Sequence, residues 1–183
     1  LGIVFALSYI VFSSSSESVE TSLVQLDALT NKPLQGFVEG CLDKSAREGL
    51  ILLGAQGGVF DTEFIEQFQQ IPYFEYNRTV YYVEGETIMP SEKEMEQQLS
   101  RYIENDLPAC FSEFEFFQQQ GVMVEKGALS VTTSIGNEKV VVHARYPLTV
   151  TSETSVMSLD TFQVIIPVRL GDIIDAAEEV LDW

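Results

Sequence analysis

Few residues in this sequence could carry out chemistry, and the two cysteines come first. Cys41 and Cys110 are the only cysteines, and His143 is the only histidine. A metal site would need further strong ligands, so the two thiols are expected either to form a disulfide or to remain free and buried. An even number of cysteines in a chain whose N-terminus is typical of an exported protein favours the disulfide.

No catalytic set is recognisable. The sequence lacks the G-x-S-x-G, H-E-x-x-H, Walker and G-x-G-x-x-G patterns. The alternating pattern around His143 is typical of a strand residue. Neighbouring carboxylates such as Glu113 with Glu115, or Glu178 with Glu179, could serve a hydrolase, but in so acidic a chain they are expected on a solvated surface. We therefore predict that the protein is not an enzyme and binds no metal and no cofactor. A hydrolase that uses acidic residues is kept as a minor alternative to the two functional hypotheses given below.

One sequence pattern points to covalent modification. Asn77, Arg78 and Thr79 form an N-x-[ST] sequon between aromatic segments. Such a position is typical of a loop in an exported protein, where the asparagine accepts a glycan. We predict glycosylation at Asn77, with an ordinary polar loop as the alternative.

The charge balance excludes one large class of partners. Ten Lys and Arg stand against 28 Asp and Glu, which gives a net charge of −18. Nucleic-acid binding requires clustered basic residues, so we exclude it. A hydrophobic content of 45% with 11% aromatic residues indicates a folded chain, and 183 residues suffice for one domain plus an appended helix.

The elements that must position these residues begin with an apolar segment, Leu1–Phe12. As a helix it would span roughly 18 Å, which is short of the ~30 Å hydrocarbon core of a membrane. Apolar spacing continues through Leu26 to Leu29 or Thr30, so the sequence predicts one long helix that Pro33 ends. The predicted domains are this helix, residues 1–33, and a globular domain, residues 34–183. The predicted assembly residues are Ile3, Val4, Phe5, Leu7, Ile10, Val11, Phe12, Val19, Leu23 and Leu26.

The globular domain is predicted to place helices before strands. An amphipathic helix over 34–53 is closed by glycines at 54–58, and Ser91 with Glu94 forms a capping box that opens a second helix. Either Pro108 interrupts this second helix or the helix continues past it, since the apolar pattern resumes beyond the proline. The stretch 60–82 is aromatic-rich, with one or two short strands. Alternating strands are predicted over 122–125, 128–135, 139–146, 148–151 and 155–166, and a last helix over 168–181 turns Ile173, Ala176, Ala177 and Val180 inward. The class is α+β, with helices packed on an antiparallel β-meander.

Several segments together resemble a family of archaeal membrane-anchored surface proteins with a type IV pilin-like N-terminal helix. The resemblance rests on FVEGCLDKSAREGLILLGAQGGVF (37–60), IPYFEYN (71–77), MPSEKEMEQQLSRYIENDLPACF (89–111), YPLTV (146–150) and IPVRLGDIIDAAEEV (166–180). It implies an extracytoplasmic location and a disulfide between Cys41 and Cys110. It implies no activity.

Two functional hypotheses follow. In the first, the chain is a pilin-like structural subunit of an archaeal extracellular filament, anchored in the membrane before assembly and polymerising with copies of itself through residues 1–29. Its support is a terminal segment too apolar for a soluble monomer. In the second, it is a membrane-anchored binding module that displays the aromatic stretch 60–82. A membrane stub or a signal-peptide remnant are the plainer interpretations of the first residues.

Overall fold

The fold is described from a computed structural model that covers residues 32–111, 115–119, 121–152 and 155–181. The chain divides into two compact units, Leu1–Phe37 and Val38–Trp183. In the first unit only residues 32–37 are described, and they are helical. The disulfide, the sheet and the candidate site all belong to the second unit.

Helices and short hairpins precede the main sheet. The elements are α1 (residues 32–55), α2 (Thr62–Ile65), β1 (Gln70–Tyr73), β2 (Tyr76–Thr79), β3 (Tyr82–Val83), β4 (Glu86–Thr87), α3 (Glu92–Cys110), α4 (Glu115–Gln119), β5 (Met123–Lys126), β6 (Ser130–Ile135), β7 (Val140–Thr151), β8 (Val156–Ile166) and α5 (Leu170–Leu181).

The loop after α1 is fixed by two glycines and a buried glutamine. Gly57 and Gly58 have φ of 69° and 81°, the left-handed conformation that ends a helix at low cost for glycine. The side chain of Gln98, fully buried on α3, accepts hydrogen bonds from the N–H groups of Phe60 and Asp61 and donates one to the Gly58 carbonyl. The loop therefore leaves α1 in a single defined direction.

α3 begins as the sequence predicts and runs past Pro108. The capping box is confirmed: Glu94 N–H donates to Ser91 Oγ, and the Glu94 carboxylate accepts from Ser91 N–H. Of the two alternatives left open at Pro108, the structure has the helix continuing past the proline to Cys110. Pro108 lies in the last turn, where proline removes only one intrahelical hydrogen bond.

The main sheet is built around one long strand. β7 pairs antiparallel with β8 from Val140 to Thr151, and on its other side it pairs first with β6 and then with β5. The sequence suggests two strands that meet at Pro147, but the structure has one continuous strand. The register with β8 shifts between Arg145 and Leu148, so Pro147 sits at an irregularity where a ladder N–H is not needed.

The core lies against one face of this sheet. Alternate residues of β7 are at most 5% exposed, and they are Val140, Val142, Ala144, Tyr146, Leu148 and Val150. Phe111, which follows α3, stacks on the Tyr146 ring with 5.0 Å between centroids. Gly49 of α1 permits close helix packing, because a Cβ there would lie 2.6 Å from Leu99 Cδ1 of α3.

The α+β class, with helices before the sheet, is confirmed. The predicted long N-terminal hydrophobic helix is not found among the described residues. Within the described residues no helix combines the length and apolar character needed to cross a bilayer. Pro33 is itself helical, so it does not end a helix as the sequence predicts. The predicted assembly residues lie outside the described part of the chain: Ile3, Val4, Phe5, Leu7, Ile10, Val11, Phe12, Val19, Leu23 and Leu26.

The orientation predicted for α5 is also wrong. Ile173 and Val180 are 61% and 74% exposed, whereas Ile174 is buried. The buried Gly171 decides the orientation, because its N–H donates to the Gly136 carbonyl and a Cβ there would lie 2.8 Å from the Gly136 carbonyl carbon. The first turn of α5 is thus fixed by backbone contact with the β6–β7 turn, and not by the apolar spacing of the helix.

Candidate interaction surface

The disulfide predicted from the cysteine count is confirmed. Cys41 of α1 and Cys110 of α3 are bonded, with a Cα–Cα distance of 6.0 Å and a sequence separation of 69. The bond fastens the last residue of α3 to α1. It therefore constrains the two helices behind the loop that carries the hairpins.

The most exposed apolar group of the described residues is the β1–β2 hairpin. In this register Ile71 lies opposite Arg78 and Tyr73 opposite Tyr76. Directly opposite residues share a face of an antiparallel pair, and so do residues two apart on one strand. These four side chains therefore form one face, which we call the aromatic face, with Phe74 at its tip.

The side chains of the aromatic face and tip are presented to solvent. Ile71, Tyr73 and Tyr76 are 49%, 44% and 39% exposed, and Phe74 is 90% exposed. The Arg78 guanidinium lies 3.8 Å from the centre of the Tyr73 ring, and that ring meets the Phe74 ring edge-on at 4.7 Å. These contacts hold the rings in fixed orientations without burying them, as in preorganised protein interfaces.

The turn at the tip is strained. Phe74 has a φ of 52°, in the left-handed region. A bulky side chain there costs about 1–2 kcal/mol relative to glycine, which accepts this conformation freely. Backbone strain of this kind is concentrated at binding and catalytic positions of proteins, and here the strained residue projects a phenyl ring into solvent.

The base of the hairpin is attached to the loop that follows α1. Thr79 donates from its N–H and from its hydroxyl to the Gln56 carbonyl at 3.1 and 3.0 Å. Gln70 Nε2 donates to the Val59 carbonyl at 3.1 Å. Because Gln98 fixes the same loop, the hairpin is anchored at one end while its aromatic tip is free to make contacts.

The surroundings of the hairpin are acidic. Between Phe60 and Ile88 the sequence has six Asp and Glu and a single Arg, Arg78. Arg101 of α3 forms ion pairs with two of these acids, Asp61 and Glu63. The other four are exposed carboxylates: Glu66, Glu75, Glu84 and Glu86. A binding partner would have to offer basic groups around an apolar patch.

The predicted glycosylation site lies in the same hairpin, on the other face. Asn77 is exposed and sits opposite Pro72, so it lies in strand β2 and not in the loop that the sequence suggests. A glycan there would project away from the aromatic face. Modification of Asn77 stays a prediction.

The other candidate residues do not come together. His143 is exposed on β7, between Thr132 and Gln163 of the neighbouring strands. Among the described residues no group of three or more His, Cys, Asp or Glu is placed to hold a metal. The absence of an enzyme activity stays a prediction.

Two grooves lie outside the β1–β2 hairpin, and among the described residues neither brings together a recognisable metal-ligating set. An open groove of about 420 Å³ runs between α3 and β6, but its Glu96 and Ser100 already accept hydrogen bonds from β6. An apolar groove of about 110 Å³ is lined by residues that include Leu53, Met95 and Ala177. Tyr81 also lines it, and burial raises the pKa of this phenol.

Comparisons with family models, with curated proteins and with solved structures find no match to this chain. The resemblance to archaeal surface proteins therefore stays a prediction. The sequence marks 60–82 as its most aromatic stretch, and the exposed aromatic side chains of the hairpin lie within it. It did not indicate which aromatic residues are exposed, because that depends on hairpin register.

Proposed function

We propose that this protein is a disulfide-stabilised interaction module that acts outside the cytoplasm and binds a protein partner through the aromatic face of the β1–β2 hairpin. The observation that carries the proposal is Phe74, a phenyl ring that is 90% exposed and held in a left-handed backbone conformation. Exposed aromatic and arginine side chains are the residues that dominate binding energy in protein interfaces.

The disulfide supports the location. Such bonds persist in oxidising compartments and are rare where glutathione and thioredoxin keep thiols reduced. The acidic surroundings of the hairpin define the partner as a protein surface that presents Lys and Arg side chains around an apolar pocket.

The first experiment identifies the partner in cells that naturally produce the chain. A photo-crosslinking amino acid replaces Phe74 in the full chain, and a matched chain carries it at Ile51, an exposed apolar residue of α1 (65%). We expect a discrete product with one protein from the Phe74 position only. Equal products from both positions would contradict a role for the hairpin.

The second experiment separates binding from folding. Phe74→Gly removes the side chain and relieves the backbone strain, so we expect the free energy of unfolding to rise by about 1 kcal/mol. The affinity for the crosslinked partner should fall about thirty-fold, the effect of losing an interface anchor worth about 2 kcal/mol. Ile51→Ala should leave the affinity unchanged. An unchanged affinity of Phe74→Gly, measured by calorimetry, would refute the proposal.

A structural subunit of an extracellular filament is the second proposed function, supported by the apolar composition of Leu1–Phe12. Its test is electron microscopy of the full chain and of a chain that lacks residues 1–12. Filaments that form only with the full chain would favour this function. Filaments from both chains would show that the apolar segment is not the assembly element.

A further inference from the structure

The two long edges of the main sheet are treated differently. Along β6 the outward backbone N–H groups are occupied by acceptors of α3 spaced four residues apart, which lie on one stripe of a helix. The bonds run from Val131 N to Glu104 Oε1 at 2.7 Å, from Thr133 N to Ser100 Oγ at 3.0 Å and from Ile135 N to Glu96 Oε1 at 2.8 Å. α3 therefore closes this edge against pairing with another strand.

The same bonds fix the direction of the backbone groups in β7 and β8 up to the register shift at Arg145, because N–H and C=O groups of successive strand residues point to opposite sides. The backbone groups of the odd-numbered residues of β6 point toward α3, so the backbone groups of its even-numbered residues form the hydrogen bonds with β7. In β7 the residues left to bond with β8 are then the even-numbered ones, opposite Phe162, Val164 and Ile166. The residues of β8 whose backbone groups point outward are Thr161, Gln163 and Ile165.

This outward edge of β8 is open. Within the described residues no hydrogen bond reaches the outward backbone groups of 161–166. β8 contains no Pro and no Lys, the residues that usually block an edge, and its one charged residue is Asp160, which faces Arg145 at 3.8 Å.

The last helix, α5, makes its hydrogen bonds and apolar contacts away from residues 161–166. α5 starts against the β6–β7 turn, where Gly171 N–H donates to the Gly136 carbonyl at 3.2 Å and Asn137 Nδ2 donates to the Asp172 carboxylate at 2.9 Å. Ile174 of α5 then lines the apolar groove beside Leu53 and Met95. These contacts of α5 are with the β6–β7 turn and with the apolar groove, and not with residues 161–166 of β8.

We propose that the β8 edge, over Thr161–Ile166, pairs antiparallel with the same segment of a second copy of this chain, with the two-fold axis at Val164. In this register Gln163 lies opposite Ile165 of the second copy, and these are the residues whose backbone groups point outward. Phe162 lies opposite Ile166 of the second copy, so buried-face residues meet on one face and polar-face residues on the other. The two sheets become one continuous sheet.

The occupant is a second copy because the segment is complementary to itself. Thr161–Ile166 carries no charge, so the two-fold axis brings no like charges opposite one another. Pairing over the whole of β8 would mismatch the faces, because exposure alternates regularly up to Leu159 and resumes out of phase at Phe162. A net charge of −18 on each copy opposes association, so dimers should form more readily as salt is added.

This surface is separate from the aromatic hairpin, and its first test reads the register directly. Two variants of the full chain, Val164→Cys and Thr161→Cys, are prepared separately and exposed to a mild oxidant. Two Val164→Cys thiols would face each other across the axis, whereas two Thr161→Cys thiols would lie roughly 20 Å apart. We expect covalent dimers from Val164→Cys alone, with the Cys41–Cys110 bond intact by peptide mapping.

Solvent accessibility works against the expected result, because the side chain of Thr161 is exposed whereas that of Val164 is half-buried. Random collision would favour the more exposed thiol. Equal yields of dimer, or a higher yield from Thr161→Cys, would therefore overturn the proposed pairing.

The second test removes one edge hydrogen bond without touching the β7 ladder. Ile165→Pro deletes an outward N–H, and the residue before it is already extended, as proline requires. Two bonds are lost across the two-fold axis, so the dimer dissociation constant should rise about thirty-fold in sedimentation equilibrium. Ile165→Ala keeps the N–H and should dimerise more strongly than Ile165→Pro. Equal dissociation constants for the two variants would refute pairing through the backbone.

Discussion

Removal of the disulfide tests how far the fold depends on an oxidising environment. The change is Cys41→Ala with Cys110→Ala. The bond closes a loop between residues 69 apart in sequence, and the chain-entropy relation for a loop of this length gives a loss of about 4 kcal/mol. Domains are stable by only about 5–15 kcal/mol, so the loss would be a large fraction of the total.

The measurement is equilibrium unfolding in urea, followed by far-UV circular dichroism. With a urea dependence of about 2 kcal/mol per molar, the transition midpoint should fall by about 2 M. The dependence itself should become steeper, because the unfolded chain without a cross-link exposes more surface.

The natural protein in reductant is the matched control, since it loses the bond and keeps both cysteine side chains. It should unfold close to the double variant. If the oxidised and reduced forms differ by less than about 1 kcal/mol, the bond does not stabilise the fold through loop closure. The structural argument for an oxidising compartment would then be lost as well.

Two further predictions concern buried and exposed hydrogen bonds. Gln98→Met keeps the side-chain volume but leaves the N–H groups of Phe60 and Asp61 without an acceptor, so the free energy of unfolding should fall by about 2–5 kcal/mol. The control Gln97→Met, on the exposed face of α3, should change this free energy little. Equal losses for the two variants in urea unfolding would contradict the role of Gln98. Hydrogen bonds from Asn137 and Arg169 hold the pKa of Asp172 below its ordinary value, so its contribution to stability is present above about pH 4 and is lost as the pH falls further. Asp172→Asn should therefore be less stable than the natural protein at neutral pH. In acid-unfolding curves, the difference in stability between the two proteins should disappear as the pH falls.

Local signals in the sequence predicted much of the helical framework. The capping box of Ser91 and Glu94 and the glycine stop after α1 are formed by residues within a few positions of each other, so they can be recognised without knowledge of the fold. The strands were recognisable for a similar reason, because one face of the sheet is buried and alternation follows.

The errors arose where distant backbone decides the outcome. The apolar spacing of α5 suggested that Ile173 and Val180 turn inward. The contact of Gly171 with the β6–β7 turn instead orients the helix so that both side chains are exposed. The pattern predicted separate strands over 139–146 and 148–151, but they form one strand, in which a register shift against β8 accommodates Pro147. Neither contact can be inferred from local pattern, because the partners lie far away in sequence.

The candidate surfaces divide in the same way. The sequence alone determined the acidity of the chain, the pair of cysteines and an aromatic stretch, since these are properties of composition. Only the tertiary structure decided that Tyr73, Tyr76 and Arg78 share a face, that α3 closes the β6 edge and that the β8 edge stays open. The physical reason is that a strand shows the same residues to solvent or to the core depending on its register, and its edge is open or closed depending on which element packs beside it.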